Sequence, residues 1–281
     1  MKFASYLLDG SPAFGIVVGT GVVTMSRGPG ARFASLKAAL AAGCLDELGK
    51  AAKERVPDLQ LAELHFLPTI PDAEKVLIVG TNYLSHAAEL GRKPPPQPRI
   101  VARYQNTLVA HGEPIIRPKV SEQLDFEGEL AVVIGRQARH VPAAQGLDYV
   151  AGYTCFNDAS LRDYQLMTPA AGKNFISTAG FGPWLVTKDE IPDPTKLELT
   201  TRLNGVVVQH VFTDDLIHSI GEIIAYVSGF TRLEPGDVIA TGTPQGIGWF
   251  RKPPLWMKAG DVCEVELSGI GVLRNSVVDE A

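Results

Sequence analysis

The sequence predicts a mixed, β-rich α+β protein. Short apolar runs bounded by turn residues outnumber the segments with helical spacing, and the two kinds do not alternate as in a doubly wound fold. The prolines of Leu67-Pro-Thr-Ile-Pro71 fix φ and lack an N–H donor, so they interrupt any regular element. We therefore predict a small N-terminal α/β domain, residues 1–70, and a larger domain, residues 71–281.

The N-terminal section contains one hairpin signal and one helical signal. Two Val/Ile-rich runs at 14–18 and 21–25 alternate with period two, which is typical of paired strands. Residues 33–55 are rich in Ala and Leu at helical spacing. This section is therefore expected to combine a hairpin with helical structure.

The larger section is expected to consist mainly of short strands. Its clearest helix is predicted at 216–230, where Ile217, Ile220, Ile224 and Val227 line one face. A shorter helix is predicted at 83–90. The predicted strands are 75–80, 131–135, 149–156, 197–203, 206–212, 238–241 and 262–267.

Composition excludes several classes of protein. The 281 residues are 45% hydrophobic and 20% charged, which is typical of a globular enzyme, and the net charge of -5 provides no basic field for nucleic acid. The three cysteines form no CxxC pair, so a disulfide framework and a thiolate zinc site are both disfavoured. No segment has the length and apolarity of a membrane span. We expect a cytoplasmic protein without nucleic-acid or membrane partners.

Two carboxylates lie on one face of a predicted strand. Glu127 and Glu129 are two residues apart, and the same face continues with the apolar Ala131 and Val133. No Lys or Arg lies between positions 119 and 136 to neutralise them locally. A hard divalent metal would remove the cost of burying the pair, because Mg²⁺ and Mn²⁺ prefer carboxylate oxygen. The alternative is a solvated acidic edge of an antiparallel strand.

A third carboxylate follows the next apolar strand. Asp158 comes directly after the run that ends at Asn157, where it would add a third oxygen ligand and leave positions for water and substrate. Taken alone, an aspartate at this position is equally typical of a cap or turn.

A candidate general base lies on the short helix at 83–90. His86 and Glu89 are three residues apart, so their side chains can meet, and the carboxylate would orient the imidazole. The other ring nitrogen would then be available to take a proton from water. An ordinary exposed His/Glu pair is the alternative.

Two further features can contact an anionic substrate. Lys173 lies among small and apolar residues and can stabilise a developing enolate, although a lone lysine is usually only surface charge. The loop 241–248 is rich in glycine but leads to no convincing helix and has no P-loop lysine, so nucleotide binding is disfavoured. Its backbone N–H groups and the Thr243 hydroxyl can instead face a carboxylate, unless the loop is a plain β-turn.

Taken in order, these motifs resemble the fumarylacetoacetate hydrolase superfamily, in the branch that holds acylpyruvate and fumarylpyruvate hydrolases and 2-hydroxyhepta-2,4-diene-1,7-dioate isomerases. The resemblance covers residues 75–281 nearly continuously. The matching motifs are Gly80-Thr-Asn-Tyr-Leu-Ser-His86 with Glu89, His111-Gly-Glu-Pro-Ile115, Asp125-Phe-Glu-Gly-Glu-Leu130, Asp158, Gly172-Lys-Asn-Phe175, Thr241-Gly-Thr-Pro-Gln-Gly246 and Lys258-Ala-Gly-Asp261.

The resemblance implies a β-roll catalytic domain behind a variable N-terminal domain, a homodimer, and an Mg²⁺ or Mn²⁺ ion. Its residue assignments are Glu127, Glu129 and Asp158 as metal ligands, His86 and Glu89 as the water-activating dyad, Lys173 as a catalytic residue, and Arg103, Gln165 and Thr243 as substrate contacts. Two departures bear on the substrate: Arg103 stands where many relatives have Lys, and Ser177 where some have Thr.

The expected reaction is metal-dependent hydrolysis of a carbon–carbon bond in a 1,3-diketo acid of the acylpyruvate, fumarylpyruvate or maleylpyruvate type. Decarboxylation of a 2-oxo acid and isomerisation of a 2-hydroxydienedioate need the same enolate stabilisation without an attacking water, and stay open as alternatives. A metal-dependent binding module without catalysis is a different class, which the complete set of motifs disfavours. The proline-rich segment 91–98 is predicted to be a lid that closes over the substrate.

Overall fold

The computed structural model describes residues 1–281, and strands predominate over helices in it as the sequence predicts. The mixed, β-rich fold class is confirmed. The first 70 residues form β1 (Lys2–Leu8), β2 (Ser11–Val18), β3 (Gly21–Thr24), α1 (Leu36–Ala41), α2 (Leu45–Lys53), β4 (Leu59–Gln60) and β5 (His65–Phe66).

The rest of the chain contains fourteen further strands and four further α-helices. In chain order these are β6 (Val76–Gly80), α3 (Leu84–Glu89), β7 (Arg99–Arg103), β8 (Leu108–Val109), β9 (Ile115–Arg117), β10 (Leu124–Asp125), β11 (Gly128–Ile134), β12 (Val150–Asn157), β13 (Ser160–Leu161), α4 (Arg162–Met167), α5 (Pro169–Lys173), β14 (Ala179–Thr187), β15 (Glu198–Leu203), β16 (Val206–Phe212), α6 (Ile220–Phe230), β17 (Val238–Ala240), β18 (Val262–Leu267) and β19 (Gly271–Asp279). None of the helices is long and apolar enough to span a membrane.

The predicted hairpin at the N-terminus is present, whereas the predicted helical run at 33–55 is divided. Strands β2 and β3 pair with Val18 opposite Gly21 across a two-residue turn. Helices α1 and α2 are separated around Gly43, whose φ of 66° lies in the left-handed region that favours glycine. A glycine in this conformation ends α1, because the helix cannot continue through it.

One large sheet joins the two sections of the chain. Twelve strands form a mixed sheet, and in it β1 of the N-terminal section pairs with β14, with Phe3 opposite Leu185. The sheet therefore continues across the predicted boundary at residue 70. The division into two domains stays a prediction about which parts of the chain fold as units.

Strand β11 lies between two apolar cores and contributes one face to each. Leu130 and Val132 face the core between the large sheet and a five-stranded sheet of β16, β15, β18, β19 and β9. Ala131 and Val133 face the opposite core, which also holds the apolar sides of α1 and α2. Because β11 is buried on both faces, any charge at its start is removed from water.

Strands β14 and β19 and the start of α6 are among the elements that differ from the predictions. Strand β14 was not predicted; it contains Pro183, and its pairing with β12 is irregular just where this proline lies, and proline is tolerated at bulges. Strand β19 was also not predicted. Helix α6 begins at Ile220 rather than 216, because Ser219 and Glu222 form a capping box that fixes the helix start.

Candidate active site

Glu127, Glu129 and Asp158 come together in one buried cluster. One carboxylate oxygen from each residue lies within 4.8 Å of the corresponding oxygens of the other two. All three residues are buried, and Asp158 is fully inaccessible to solvent. The grouping agrees with the metal site predicted from the sequence, and it disfavours the alternative of a solvated acidic edge.

The pairing of β11 with β12 creates this cluster. Gly128 stands opposite Asn157 in the antiparallel register, so Glu127 and Asp158, which flank that pair, become neighbours. The N–H of Asp158 donates to the carbonyl of Glu127 at 2.8 Å, and the N–H of Glu127 donates to Asn157 Oδ1 at 3.0 Å. The strand end therefore sets the spacing of the carboxylates.

The glycine between the two glutamates is required by close packing. A Cβ placed on Gly128 would lie 2.0 Å from Thr201 Oγ1, well inside contact distance. Strand β15, which carries Thr201, could not approach β11 as closely if a larger residue stood there. The motif Glu-Gly-Glu thus combines two ligand positions with one packing position.

The carboxylates are neutralised by cations that lie far away in the sequence. The expectation of an acidic pair without cations is wrong, because it considered only neighbours along the chain. Arg162 lies 2.8 Å from Asp125 and 2.7 Å from Glu127, the Lys173 ammonium contacts Glu127 and Asp158, and Arg103 Nε donates to Asp158 at 2.5 Å. These charge-assisted contacts hold the cluster together in the dry interior.

With every group ionised, the buried cluster would carry one negative charge in excess. We call it the site floor: its four acids are Asp125, Glu127, Glu129 and Asp158, and its three cations are Arg103, Arg162 and Lys173. Of the four acids, only Glu129 forms no ion pair; it accepts one hydrogen bond, from Gly242 N–H at 2.8 Å. Glu129 is therefore the acid that lacks a cationic partner.

The pKa values follow this uneven distribution. Burial and the nearby Asp158 raise the pKa of Glu129 well above its usual value. Burial alone would also raise the pKa of Glu127, but Arg162 and Lys173 outweigh it and lower that pKa. Burial disfavours the Lys173 ammonium, yet Asp158 and Glu127 outweigh it and raise the pKa of the amine. Glu129 is thus the carboxylate that most needs a cation.

The residues present fit a hard divalent cation. The candidate ligands are three carboxylates, and oxygen donors of this kind are what Mg²⁺ and Mn²⁺ prefer. A cation at this position would also supply the charge that Glu129 lacks. Glu127, Glu129 and Asp158 are therefore the residues that could hold a metal ion.

His86 and Glu89 form the predicted pair, and the pair is anchored. His86 Nδ1 lies 2.9 Å from Glu89 Oε2, and Glu89 Oε1 accepts a hydrogen bond from Gly246 N–H at 2.8 Å. Because a carboxylate can only accept, a neutral His86 carries its proton on Nδ1. Nε2 is then the nitrogen that can act as a base, and the pair is not the ordinary exposed one considered as the alternative.

The glycine-rich loop binds the protein's own carboxylates. Gly242 N–H donates to Glu129 and Gly246 N–H donates to Glu89, so these groups do not face a substrate carboxylate as the sequence suggested. The Thr243 hydroxyl donates to the carbonyl of Gly128 at 3.0 Å and accepts from Gln209 at 2.8 Å. The loop positions the dyad and the carboxylates relative to each other.

One cavity of about 400 Å³ connects these groups. The predicted site residues that line it are His86, Glu127, Glu129, Asp158, Gln165, Lys173 and Thr243. Arg103 is absent from the lining: its guanidinium is buried against Asp158, Thr178 and the carbonyl of Ala159. The structure therefore places Arg103 behind a carboxylate, which corrects the expectation of a substrate contact. Ser177 does not line the cavity either.

Sequence reasoning missed Arg162 as a site residue. Arg162 starts α4, lines the cavity, bridges Asp125 and Glu127, and donates to Gln165 Oε1 at 2.7 Å. A signal was available, because a cation in the first turn of a helix opposes the helix dipole and needs an acidic partner elsewhere. The sequence could not identify Asp125 and Glu127 as its partners, because no local pattern connects residues that far apart.

Comparison with known proteins identifies a family and several relatives. Residues 75–278 match the family described as fumarylacetoacetate (FAA) hydrolase C-terminal. The human protein named oxaloacetate tautomerase FAHD2A, mitochondrial, is 39% identical over 233 residues, which cover 82% of this chain and 74% of the relative.

Solved structures are similar along the whole chain. A fumarylacetoacetate hydrolase from Exiguobacterium antarcticum has a TM-score of 0.83 at 30% identity, with full coverage of both chains. A maleylpyruvate hydrolase from Sphingobium sp. SYK-6, solved with manganese(II) and pyruvate, also has a TM-score of 0.83 with full coverage; at 24% identity it shows the shared fold alone. The predicted resemblance is confirmed, and the chain belongs to the fumarylacetoacetate hydrolase family.

Proposed function

We propose that this protein is a divalent-metal-dependent enzyme that hydrolyses a carbon–carbon bond in a 1,3-diketo acid, releasing pyruvate and a carboxylic acid. The observation that carries the proposal is that His86, paired with Glu89, lines the same cavity as the three buried carboxylates. A base and an anion-stabilising centre are the two requirements of this reaction.

Glu127, Glu129 and Asp158 would hold an Mg²⁺ or Mn²⁺ ion. The manganese and pyruvate in the maleylpyruvate hydrolase of the same fold support this assignment. When bound, the ion would hold adjacent oxygens of the 2-oxo acid and polarise its carbonyl. Small 2-oxo or diketo acids are accordingly the proposed substrates.

The chain's own residues account for the proton transfers. His86 Nε2 removes a proton from water, while Glu89 holds the ring and stabilises the imidazolium that forms. The water oxygen bonds to the distal carbonyl carbon, and the bond to the pyruvate methylene breaks, leaving its electron pair on an enolate. Lys173 donates to that enolate oxygen, and the His86 imidazolium returns its proton to the enolate carbon, which gives pyruvate and regenerates the base.

Keto–enol tautomerisation of a 2-oxo diacid such as oxaloacetate is the second candidate. The observation that favours it is the 39% identity to the human oxaloacetate tautomerase. The same base would move a proton between carbon and oxygen, and no water would be consumed. Decarboxylation of a 2-oxo acid and isomerisation of a 2-hydroxydienedioate need the same enolate stabilisation and belong with this candidate.

One set of assays separates hydrolysis from tautomerisation. Acetylpyruvate, fumarylpyruvate, maleylpyruvate and oxaloacetate are incubated with Mn²⁺- or Mg²⁺-loaded protein in H₂¹⁸O. Hydrolysis predicts one ¹⁸O atom in the released carboxylic acid together with stoichiometric pyruvate. Tautomerisation predicts faster decay of enol absorbance with no cleavage product. Turnover in exhaustively chelated protein would contradict both candidates.

We further propose a homodimer, the state that the family resemblance implies. The edge strand β16 supports it, because Val206, Val207 and Phe212 are exposed there and such apolar edges are usually covered. Light scattering after gel filtration measures the mass directly, and a monomer at micromolar concentration would contradict the proposal.

A further inference from the structure

Two exposed arginines line the same cavity as the site floor. Arg92 and Arg99 belong to the lining, yet neither guanidinium forms an ion pair or a side-chain hydrogen bond. The nearest acid along the chain is not available to them, because Glu89 already accepts from His86 and from Gly246 N–H. The structure thus leaves two unpaired positive charges at the cavity entrance.

Arg92 is held in place by the end of α3. Its N–H donates to the carbonyl of Ala87, and Gly91 N–H donates to the carbonyl of Ala88, both at 2.9 Å. Gly91 has a φ of 63°, so these two hydrogen bonds form a Schellman motif at the end of α3. The position of Arg92 is therefore coupled to the helix that carries His86.

Arg99 is fixed by the sheet on the other side of the proline-rich segment. It starts β7 and stands opposite Gly80 of β6, which also lines the cavity. Between the two arginines, the carbonyl of Pro95 lies 3.0 Å from His218 Nε2, and Pro95 and Pro98 are buried. The two arginines thus stand at the two ends of one anchored segment.

Part of the cavity lining is apolar. Leu90, Leu166 and Phe250 line the cavity together with Trp249. A carbon chain can contact these apolar side chains, while a carboxylate at its far end requires a positively charged partner. Guanidinium groups bind carboxylates strongly and can do so through two hydrogen bonds.

We propose that Arg92 and Arg99 bind the distal carboxylate of the substrate, so that the enzyme selects 2-oxo dicarboxylates over 2-oxo monocarboxylates. This inference rests on the proposed action on 2-oxo acids and narrows the substrate class. The arginines are specificity-determining residues; the bond-breaking groups remain those of the floor and the dyad.

Steady-state kinetics with a matched substrate pair tests the proposal. For fumarylpyruvate, a dicarboxylate, Arg92→Gln and Arg99→Gln should each raise KM by about 10- to 100-fold, the scale of a charged hydrogen bond, with kcat changed less than about threefold. For acetylpyruvate, which has no distal carboxylate, both variants should keep KM within about twofold. Arg92→Lys and Arg99→Lys should raise KM for fumarylpyruvate less than the Gln variants do, because lysine keeps the positive charge but cannot form the two parallel hydrogen bonds of a guanidinium group.

Lys93→Gln is the matched control, since Lys93 is an exposed cation next to Arg92 that does not line the cavity. It should leave both substrates unaffected. An equal rise in KM for fumarylpyruvate and acetylpyruvate in the arginine variants would overturn the proposal, because it would indicate a general loss of structure. A rise in KM for fumarylpyruvate in Lys93→Gln as large as in the arginine variants would also overturn it, because it would indicate a non-specific effect of positive charge.

A binding measurement keeps this test independent of the reaction. Calorimetry with Mn²⁺-loaded protein compares 2-oxoglutarate with 2-oxopentanoate, which has the same chain length and only one carboxylate. Wild-type protein should bind 2-oxoglutarate at least about tenfold more tightly, and Arg92→Gln/Arg99→Gln should remove that preference. Equal affinities in wild-type protein overturn the inference. Tight binding of 2-oxoglutarate without turnover of any 1,3-diketo acid would instead contradict the proposed hydrolysis alone.

Discussion

The site floor and the segment 82–99 both contribute residues to the same cavity but are built in opposite ways. The floor takes residues from separate parts of the chain, buries all of them, and pairs every charge except that of Glu129. The segment 82–99 is continuous in sequence, carries the His86–Glu89 dyad, and leaves Arg92 and Arg99 exposed and unpaired. The floor is suited to a fixed chemical task, whereas the segment is suited to choosing and enclosing the substrate.

This difference indicates that the site floor contributes mainly to folding stability, whereas the exposed arginines are available for ligand binding. Buried ion pairs hold the floor together, and breaking one leaves an uncompensated charge in the interior. Exposed arginines contribute little to folding, so their charges stay available for a ligand. Changes in the two regions should therefore affect different measurements.

The largest expected effect is loss of the metal site. Glu129→Gln should lower turnover by at least about 10³-fold and weaken Mn²⁺ binding measured by electron paramagnetic resonance, since metal coordination supplies several kcal/mol of stabilisation. This variant should keep the fold, because Glu129 forms no ion pair. Glu127→Gln and Asp158→Asn should also abolish turnover, with greater loss of stability because both residues contact Lys173.

Asp237→Asn is the control for these variants. Asp237 is a fully buried carboxylate outside the site that pairs with Lys75 at 3.1 Å. It should lower the free energy of unfolding without changing Mn²⁺ affinity or turnover. Unchanged Mn²⁺ affinity in Glu129→Gln would remove this residue from the metal site.

The next effect separates the base from the metal centre. His86→Ala should slow hydrolysis by roughly 10²- to 10⁴-fold, the usual contribution of a general base, while Mn²⁺ affinity stays unchanged. Glu89→Gln should have a smaller effect, because it alters only the orientation of the ring and its charge. If His86→Ala hydrolyses acylpyruvates at the wild-type rate, the dyad has been assigned wrongly.

The contributions of the two regions to stability can be compared directly by substituting one arginine from each. Arg162→Gln should lower the free energy of unfolding by about 3–5 kcal/mol, because it leaves Asp125 and Glu127 without their shared cation. Arg92→Gln, at an exposed unpaired position, should change it by no more than about 0.5 kcal/mol. Urea unfolding of both variants measures this contrast, and similar losses would show that the two regions are not energetically distinct.

The smallest effect concerns the predicted lid. Hydrogen exchange of residues 82–99 in Mn²⁺-loaded protein should slow when oxalate is added, whereas exchange in β11 and β12 should not change. The dyad is already anchored to Gly246, so the change should be strongest at Lys93 and Gln97, whose N–H groups form no hydrogen bond in the proline-rich part. Equal, strong protection with and without oxalate would indicate a preformed site and no lid.

The sequence alone was sufficient for several features with a clear local pattern. Period-two apolar runs predicted strands such as β16 and β18 with their observed bounds, and the Glu-Gly-Glu spacing predicted that Glu127 and Glu129 share a site. The ordered motifs also predicted the family that comparison with known proteins confirms. Local patterns are reliable here because side-chain direction in a strand follows directly from residue parity.

Features that depend on contacts between distant residues required the folded structure. Lys173 meets Glu127 across 46 positions of the chain, and Arg103 meets Asp158 across 55. No periodicity connects such positions, so the sequence suggested carboxylates without a local cation, and the family resemblance assigned Arg103 as a substrate contact. Only the packing of separate elements around β11 determines which cation neutralises which acid, because charges in a dry interior must pair with whatever the fold brings within reach.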